Sequence, residues 1–192
     1  MLLRTIVGAA LAAAAVFLWG FVYWTMLPYS KKIIKPLPAE AQVAEALQAH
    51  VPESGVFLLP AASGEDDAAM EDWKQRSLAG PTAMIFVHKE GIDPMSSKVF
   101  LFGYVQMFLA ALAAAIILIA SDVNFYPGRV MIVFWVGIFS MLWEPLSNVV
   151  WFHYPLDYFW LKLGFTIPAA ILMGLVLATF VRPPVAERDQ NG

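Results

Sequence analysis

The sequence predicts an all-α membrane protein, a four-helix transmembrane bundle with a small α+β extramembrane insert between its first two helices. Three observations support this. The 192 residues are 60% hydrophobic and only 14% charged, whereas soluble domains average about 25% charged residues. Four windows stay apolar over the roughly 20 residues that a helix needs to cross the hydrocarbon core. Most of the charges lie between the first two windows, in residues 29–96.

The first predicted span runs from Thr5 to about Leu27 and contains no charged residue. It follows Arg4, as the apolar core of a secretory signal peptide would, but it is longer than such a core and lacks a small-residue cleavage site. We therefore expect residues 1–28 to form an uncleaved membrane anchor.

The insert, residues 29–96, alternates helix and strand signals. The predicted order is an amphipathic helix over 40–50, a short strand over 55–59, a second helix, and a second strand over 82–88. Ser63 is the expected N-cap of the second helix, and Gly80-Pro81 ends it. Because two strands alone are only marginally stable, we expect the insert to pack on the membrane helices, on a partner or on a second copy.

The other three predicted spans lie within residues 97–182, and they run over 98–120, 130–152 and 158–181. Ser96 and Ser97 are candidate N-caps of the second span. Pro145 lies inside the third span and cannot donate a hydrogen bond to the carbonyl of Met141, so a kink is predicted there. The polar tail, residues 183–192, is expected to be a flexible cytoplasmic segment.

The positions of the arginines predict the orientation. With four spans, one side of the membrane receives Arg4, Arg129, Arg182 and Arg188. The short hairpin 153–157 on the other side has neither lysine nor arginine, and cytoplasmic short loops are the ones enriched in these residues. Lys31, Lys32 and Lys35 argue the other way, but long loops translocate largely regardless of charge. We expect a bacterial inner membrane, both termini in the cytoplasm, and residues 29–96 periplasmic or extracellular.

Several function classes find no support in the sequence. The absence of cysteine excludes disulfides, thiolate zinc sites and iron–sulfur clusters. A net charge of −3 gives no electrostatic footprint for nucleic acid. No nucleophile elbow, zincin or phosphate-loop motif is present. The sequence therefore predicts no enzymatic activity and no catalytic, metal or cofactor-binding residue.

A polar layer inside the spans is the candidate functional feature. Away from the span ends, Glu144 and Lys162 are the ionisable residues, and such residues are costly in hydrocarbon and often functional. Residue counting places Gln106, Glu144 and Thr166 at one depth, about 12 Å from the outer end of their spans. Asn148 lies one turn after Glu144 on the same helix face. With His153 of the outer hairpin, the layer comprises Gln106, Glu144, Asn148, His153, Lys162 and Thr166.

The layer has a functional and a structural interpretation. Glu144 can serve a proton relay, an ion site or a substrate contact, or it can be protonated or paired with Lys162, Gln106 or a partner subunit. His153 can ligate a metal or a chlorin or shuttle protons, or it can be an interfacial hydrogen-bonding residue. The structural interpretation is favoured for both residues.

Small residues recur at every fourth position of the last span, at Ala170, Gly174 and Ala178. Such seams let helix backbones approach closely in lipid. The favoured function is an accessory or scaffold protein that packs against other membrane subunits or a second copy. The alternative is a small transporter or proton-coupled channel that uses the Glu144 layer.

Several short segments carry a resemblance to known sequences, namely Phe17–Gly20, Leu27-Pro28, Glu53–Val56, Gly91–Met95 and Pro155–Tyr158. Together they resemble an uncharacterised group of bacterial four-span membrane proteins with an extracytoplasmic insert after the first helix. The resemblance implies the architecture and a bacterial membrane, and it transfers no catalytic residue.

Overall fold

The computed structural model describes residues 2–182 of the chain. The tail that was predicted to be flexible, residues 183–192, lies outside the described residues. The chain divides into two compact units. The larger, helical unit takes the residues up to Lys35 and those from Met95 onward, and the smaller unit is Pro36–Pro94.

Helices dominate the secondary structure. In chain order the elements are α1 (Leu2–Phe21), α2 (Tyr29–Ile33), α3 (Glu40–His50), β1 (Gly55–Leu59), α4 (Asp67–Ala79), β2 (Ala83–Val87), α5 (Ser97–Ala120), α6 (Tyr126–Trp143), α7 (Pro145–Phe152) and α8 (Leu156–Phe180). A π-helical turn, Val22–Met26, continues α1.

Within residues 2–182, four helical stretches are long and apolar enough to cross a membrane, which confirms the four predicted spans. They are Leu2–Met26, Ser97–Ala120, Tyr126–Phe152 and Leu156–Phe180. The third begins at Tyr126, earlier than the predicted Val130. Pro127 explains the difference, because proline fits the first turn of a helix, where its missing N–H is not needed.

The predicted kink of the third span is a break between two helices. α6 ends at Trp143 and α7 begins at Pro145. Glu144, at the junction, donates its backbone N–H to the carbonyl of Ser140 (3.3 Å) and accepts from the backbone N–H of Asn148 (3.0 Å). The hydrogen bond from the Asn148 N–H to the Glu144 carbonyl therefore starts the helical pattern of α7, three residues after the proline, which has no N–H to donate.

The helices of the larger unit pack around an apolar core at one end. α1 lies along α8, while α5 packs on α1 and α6 packs on α8. The core residues are Ala9, Ala12, Ala111, Ala114, Ala115, Leu118, Val133, Leu177 and Val181. They lie near the starts of α1 and α6 and the ends of α5 and α8. The buried residues of α5 lie only in its second half, and α7 has none, so the end that carries α7 is less covered.

The small residues of α8 form a helix-packing seam, as predicted for this span. A Cβ atom placed on Gly137 of α6 would lie 2.6 Å from the Cβ of Ala170. One placed on Gly174 would lie 3.1 Å from the carbonyl oxygen of Val130. The absence of side chains at these two glycines therefore allows α6 and α8 to approach closely.

In the smaller unit, α3 and β1 have the predicted bounds. β1 and β2 pair antiparallel, from Gly55 opposite Val87 to Leu59 opposite Ala83. The predicted N-cap Ser63 is wrong. Asp66 precedes α4 and accepts a hydrogen bond from the backbone N–H of Ala69 through Oδ1 (2.8 Å), and its negative charge also suits the helix N-terminus.

One face of the two-stranded sheet is apolar and exposed. Val56, Leu58 and Phe86 share that face, and Phe86 is 67% exposed. No residue of α3 is buried, although its sequence has amphipathic spacing. α4 ends at Ala79, and Gly80 follows as its C-cap, as predicted. The φ of Gly80 is 66°, a backbone conformation that favours glycine.

Candidate functional site

A polar cleft lies between α7 and the first half of α8. Its volume is about 180 Å³, and its lining comprises Glu144, Pro145, Asn148, Val149, Tyr154, Tyr158, Phe159 and Lys162. Three of the six candidate residues thus meet in one place, namely Glu144, Asn148 and Lys162. The break at Pro145 positions the first two, because it starts a new helical turn at the cleft wall.

Glu144 is exposed on the surface of the helical unit. Its Oε1 accepts a hydrogen bond from Nδ2 of Asn148, one turn further along. Glu144 therefore pairs with Asn148. One interpretation of the sequence had paired it with Lys162 or Gln106 instead. The ion pairs of residues 2–182 lie in the smaller unit, between Glu71 and Lys74, Asp72 and Arg76, and His88 and Glu90.

Asn148 also fixes the hairpin that follows α7. Its backbone carbonyl accepts a hydrogen bond from the N–H of Tyr154 (3.1 Å). Between them, His153 adopts a left-handed conformation with a φ of 55°, which lets the chain turn at the end of the helix. Asn148 therefore holds the Glu144 carboxylate with its side chain and the cleft-lining Tyr154 with its backbone.

Lys162 lines the cleft from the side of α8. Its side chain is half-buried, and Nζ lies 5.6 Å from the centroid of the Tyr158 ring, one turn earlier. An ammonium group at that distance is attracted to the negative face of the ring. The cleft therefore combines a carboxylate, an amide, an ammonium group and phenol rings. Together these groups can bind a charged group of either sign.

The other three candidates do not line the cleft. Gln106 is exposed on α5, and His153 is exposed in the hairpin after α7. Thr166 is half-buried on the face of α8 that meets α6, since its Cγ2 would lie 4.0 Å from a Cβ placed on Gly137. Equal depth along the spans therefore does not bring these residues together.

Comparison with known protein families, curated proteins and solved structures finds no match. Membership of the bacterial four-span group thus stays a prediction, and no residue role passes to this chain from a relative. Within residues 2–182, no three His, Asp or Glu side chains are grouped so that they could hold a metal ion.

Arg129 is a residue whose environment the sequence did not reveal. It was expected in a loop, but it lies in the first turn of α6 and is only 5% exposed. Its Nη1 donates to the carbonyl of Asn124 (2.6 Å) and its Nη2 to that of Ala178 at the end of α8 (2.8 Å). Pro127 signals a helix start here, but burial depends on the position of α8, which no local pattern encodes.

A second set of polar contacts joins α1 to α8. Trp19 donates its Nε1–H to the carbonyl of Phe165 (3.0 Å), and Tyr23 donates its hydroxyl to that of Leu161 (2.8 Å). The Tyr23 ring also contacts Trp24 and Phe165. Since these donors end on backbone carbonyls within a packed aromatic cluster, we assign the cluster a structural role.

Proposed function

We propose that the chain is a non-enzymatic accessory or scaffold subunit of a bacterial inner-membrane complex. In this proposal, the surface formed by Glu144, Ser147, Asn148 and Trp151, called the Glu144 face, binds a transmembrane helix of another subunit. The observation that carries it is the exposure of the Glu144 carboxylate on the outside of the helical unit, at a break within a span.

The carboxylate lies deep enough for its exposure to matter. Glu144 precedes the end of the span at Phe152 by eight residues, or about 12 Å of helix. An acidic side chain that faces lipid costs about 2.5–3.5 kcal/mol at the centre of a span. Asn148 supplies one hydrogen bond, whereas an ionised carboxylate has about four acceptor positions. A partner helix with hydrogen-bond donors would satisfy the rest.

The surroundings of Glu144 also favour a packing surface. The span Tyr126–Phe152 is the least buried of the four. In its most apolar 18-residue stretch 11% of the residues are buried, whereas the corresponding share for Leu2–Met26 is 39%. On α7, Trp151 is 75% exposed. Tryptophan is enriched at protein–protein hot spots, and polar side chains form hydrogen bonds between helices in lipid, so Trp151 beside Glu144 and Asn148 suits a helix-docking surface.

The apolar core supports packing over transport. Leu118 and Leu177 are fully buried at the end of the unit opposite α7. Glu144, which lines the polar cleft, is exposed on the outside of the unit. Buried alanine, leucine and valine side chains from all four spans pack together at the opposite end. A transport path from Glu144 would have to pass through this core.

Site-specific photo-crosslinking in native membranes tests the proposal. A photoreactive residue at Trp151 is expected to give one adduct of defined mass with another membrane protein. The same residue at Leu18, which is exposed on α1, serves as the control and is expected to give lipid adducts only. Glu144→Leu should abolish the protein adduct without lowering the amount of folded protein, because Glu144 makes a local hydrogen bond only.

Two results would count against the proposal. Equal adducts from Trp151 and Leu18 would indicate unspecific proximity. Monodisperse, partner-free protein in mild detergent, with no protein adduct from Trp151, would contradict it outright. An adduct between two copies of this chain would mean that the partner is a second copy of the chain and not another subunit.

The alternative, a small transporter or proton-coupled channel, rests on the shared cleft of Glu144, Asn148 and Lys162. It predicts that Glu144→Gln changes proton-coupled flux in proteoliposomes while the protein stays folded. If Glu144→Leu has wild-type flux and stability, the alternative is excluded.

The orientation proposed from sequence has support from the positions of the arginines. Arg4, Arg129 and Arg182 lie at the same end of the helical unit, at the start of α1, the start of α6 and the end of α8. Since the chain contains no cysteine, single introduced cysteines can test it. Gln75→Cys should react with an impermeant thiol reagent in intact cells, and Ser121→Cys only after permeabilisation. The reverse pattern would overturn the orientation.

A further inference from the structure

A second cleft lies at the end of the helical unit that is opposite to α7. Its volume is about 230 Å³, and it is lined by Arg4 and Thr5 from the start of α1 and by Phe180 and Arg182 from the end of α8. Two arginines that are far apart in sequence thus meet at one cleft. The close packing of α1 on α8 holds them there, since a Cβ on Gly8 would lie 2.7 Å from the Cβ of Phe180.

Both arginine side chains that line the cleft are exposed. Within residues 2–182, neither Arg4 nor Arg182 forms an ion pair or a hydrogen bond through its side chain. The described acid in the neighbouring α5–α6 connection, Asp122, does not line the cleft. Guanidinium groups of this kind are available to an anionic ligand.

Arg129 adds a third positive charge close by. It binds the carbonyl of Ala178, one helical turn before Arg182. Both of its Nη atoms donate to carbonyls, and its Nε, which is buried, has no hydrogen-bond partner among the described residues. Arg129 is therefore held in place beside the end of α8. It adds positive charge near the cleft without lining it. Arg4 and Arg182 therefore line the cleft together with Thr5 and Phe180, and Arg129 lies behind it.

We propose that this cleft binds the phosphate of an anionic membrane lipid, with Arg4 and Arg182 as the ligating residues. The planar forks of arginine match phosphate oxygens in bidentate geometry. Basic pockets between the ends of transmembrane helices bind anionic headgroups. Phe180 supplies an apolar part of the cleft wall, and the exposed apolar side chains Ile6 and Val7 follow Arg4 into the span, on the side where acyl chains lie. A lipid phosphate satisfies both the basic and the apolar part of the site, whereas a free phosphate satisfies the basic part alone.

Native mass spectrometry of the full chain in detergent, titrated with phosphatidylglycerol or phosphatidylcholine, tests the proposal. The wild type is expected to retain phosphatidylglycerol in preference to phosphatidylcholine. R4Q/R182Q should weaken phosphatidylglycerol binding by about tenfold or more, because charge-assisted hydrogen bonds are the strong ones. K31Q/K32Q removes the same charge beyond the other end of α1 and is the matched control. It should leave the preference unchanged.

Two further arms make the result decisive. R4K/R182K keeps the charge but loses the forks, so its binding should fall between that of the wild type and R4Q/R182Q. This variant also answers the question if R4Q/R182Q does not fold. Inorganic phosphate at millimolar concentration should not displace the lipid, and displacement would assign the cleft to free phosphate. Equal losses in R4Q/R182Q and K31Q/K32Q, or wild-type binding in R4Q/R182Q or R4K/R182K, would overturn the proposal.

Discussion

Tyr23 and Leu161 join the first and the last membrane helix through one buried hydrogen bond. The hydroxyl of Tyr23 donates to the backbone carbonyl of Leu161 at 2.8 Å, and Tyr23 is 4% exposed. The absence of a side chain at Gly164 makes room for the hydroxyl, since a Cβ there would lie 2.6 Å from it. Removing the hydroxyl therefore tests how strongly the two helices depend on this contact.

Tyr23→Phe is expected to lower the free energy of unfolding by about 1 kcal/mol, which is typical of one buried hydrogen bond in water or in a membrane. Tyr126→Phe removes a similar bond, from Tyr126 to the carbonyl of Leu175 (3.0 Å), at an exposed position. It should cost less, because solvent near the end of the span can replace the bond. Unfolding by dodecyl sulfate in mixed micelles measures both, and equal losses would contradict the special role of Tyr23.

Gly137→Ala is expected to destabilise the contact between α6 and α8. The added methyl group would meet the Cβ of Ala170 at 2.6 Å, and overpacking of this kind costs about 1–3 kcal/mol. Gly103→Ala is the control, because its nearest neighbour is Cε2 of Phe17 at 3.7 Å. The control should be neutral or stabilising, since alanine favours helix over glycine. The same unfolding assay applies, and a neutral Gly137→Ala would show that the helices separate easily.

Asp66→Ala should loosen α4 in the smaller unit. It removes the hydrogen bond that the backbone N–H of Ala69 donates to Asp66 Oδ1, and loss of an N-cap costs about 1 kcal/mol. Hydrogen exchange of the α4 amides in the full chain should then be about fivefold faster. Ser63→Ala should leave exchange unchanged, because Ser63 does not cap the helix. An effect of Ser63→Ala equal to that of Asp66→Ala would refute this assignment.

Ser54 and Glu90 provide a pH-dependent contact in the smaller unit. The hydrogen bond from Ser54 Oγ to Glu90 Oε2 (2.8 Å) lowers the pKa of Glu90 below its ordinary value, with smaller contributions from its own backbone N–H, His88 and Lys89. Because the pKa is lower in the folded state, the stabilisation is complete above the pKa of an unfolded glutamate. It is lost as the pH falls through the lower, folded value.

Ser54→Ala is expected to raise the pKa of Glu90 toward the ordinary value. A carboxyl-carbon NMR titration of the full chain in detergent measures this shift directly. Ser63→Ala lies outside this contact and should leave the titration of Glu90 unchanged. If Glu90 titrates alike in the wild type and in Ser54→Ala, the hydrogen bond is not the cause of the low pKa.

Several local features could be predicted because their causes are local. Runs of apolar residues define the four spans, since length and hydropathy alone decide whether a helix can cross the membrane. Pro145 predicts the break of the third span because proline lacks an N–H. The cap of α4 was assigned wrongly, because serine and aspartate are comparable caps and several suitable residues precede that helix.

The sequence predicted how deep the candidate residues lie along their spans, but not in which direction their side chains point. Counting residues from the span ends put Gln106, Glu144 and Thr166 at one level, yet the cleft contains Glu144 and excludes Gln106 and Thr166. Residue count gives the position along a helix axis, whereas the side chains that meet depend on how each helix is rotated about that axis. The rotation depends on packing with neighbouring helices.

The sequence by itself thus determined the four spans, the break at Pro145 and the identity of the ionisable residues within the spans. The tertiary structure alone decided that Glu144 faces outward and pairs with Asn148, that Arg129 is buried, and that Arg4 and Arg182 share one cleft. Hydropathy and the missing N–H of proline act within one segment, so their effects can be predicted from the sequence of that segment. Convergence of distant side chains depends on how α1, α6 and α8 pack together, which no single segment encodes.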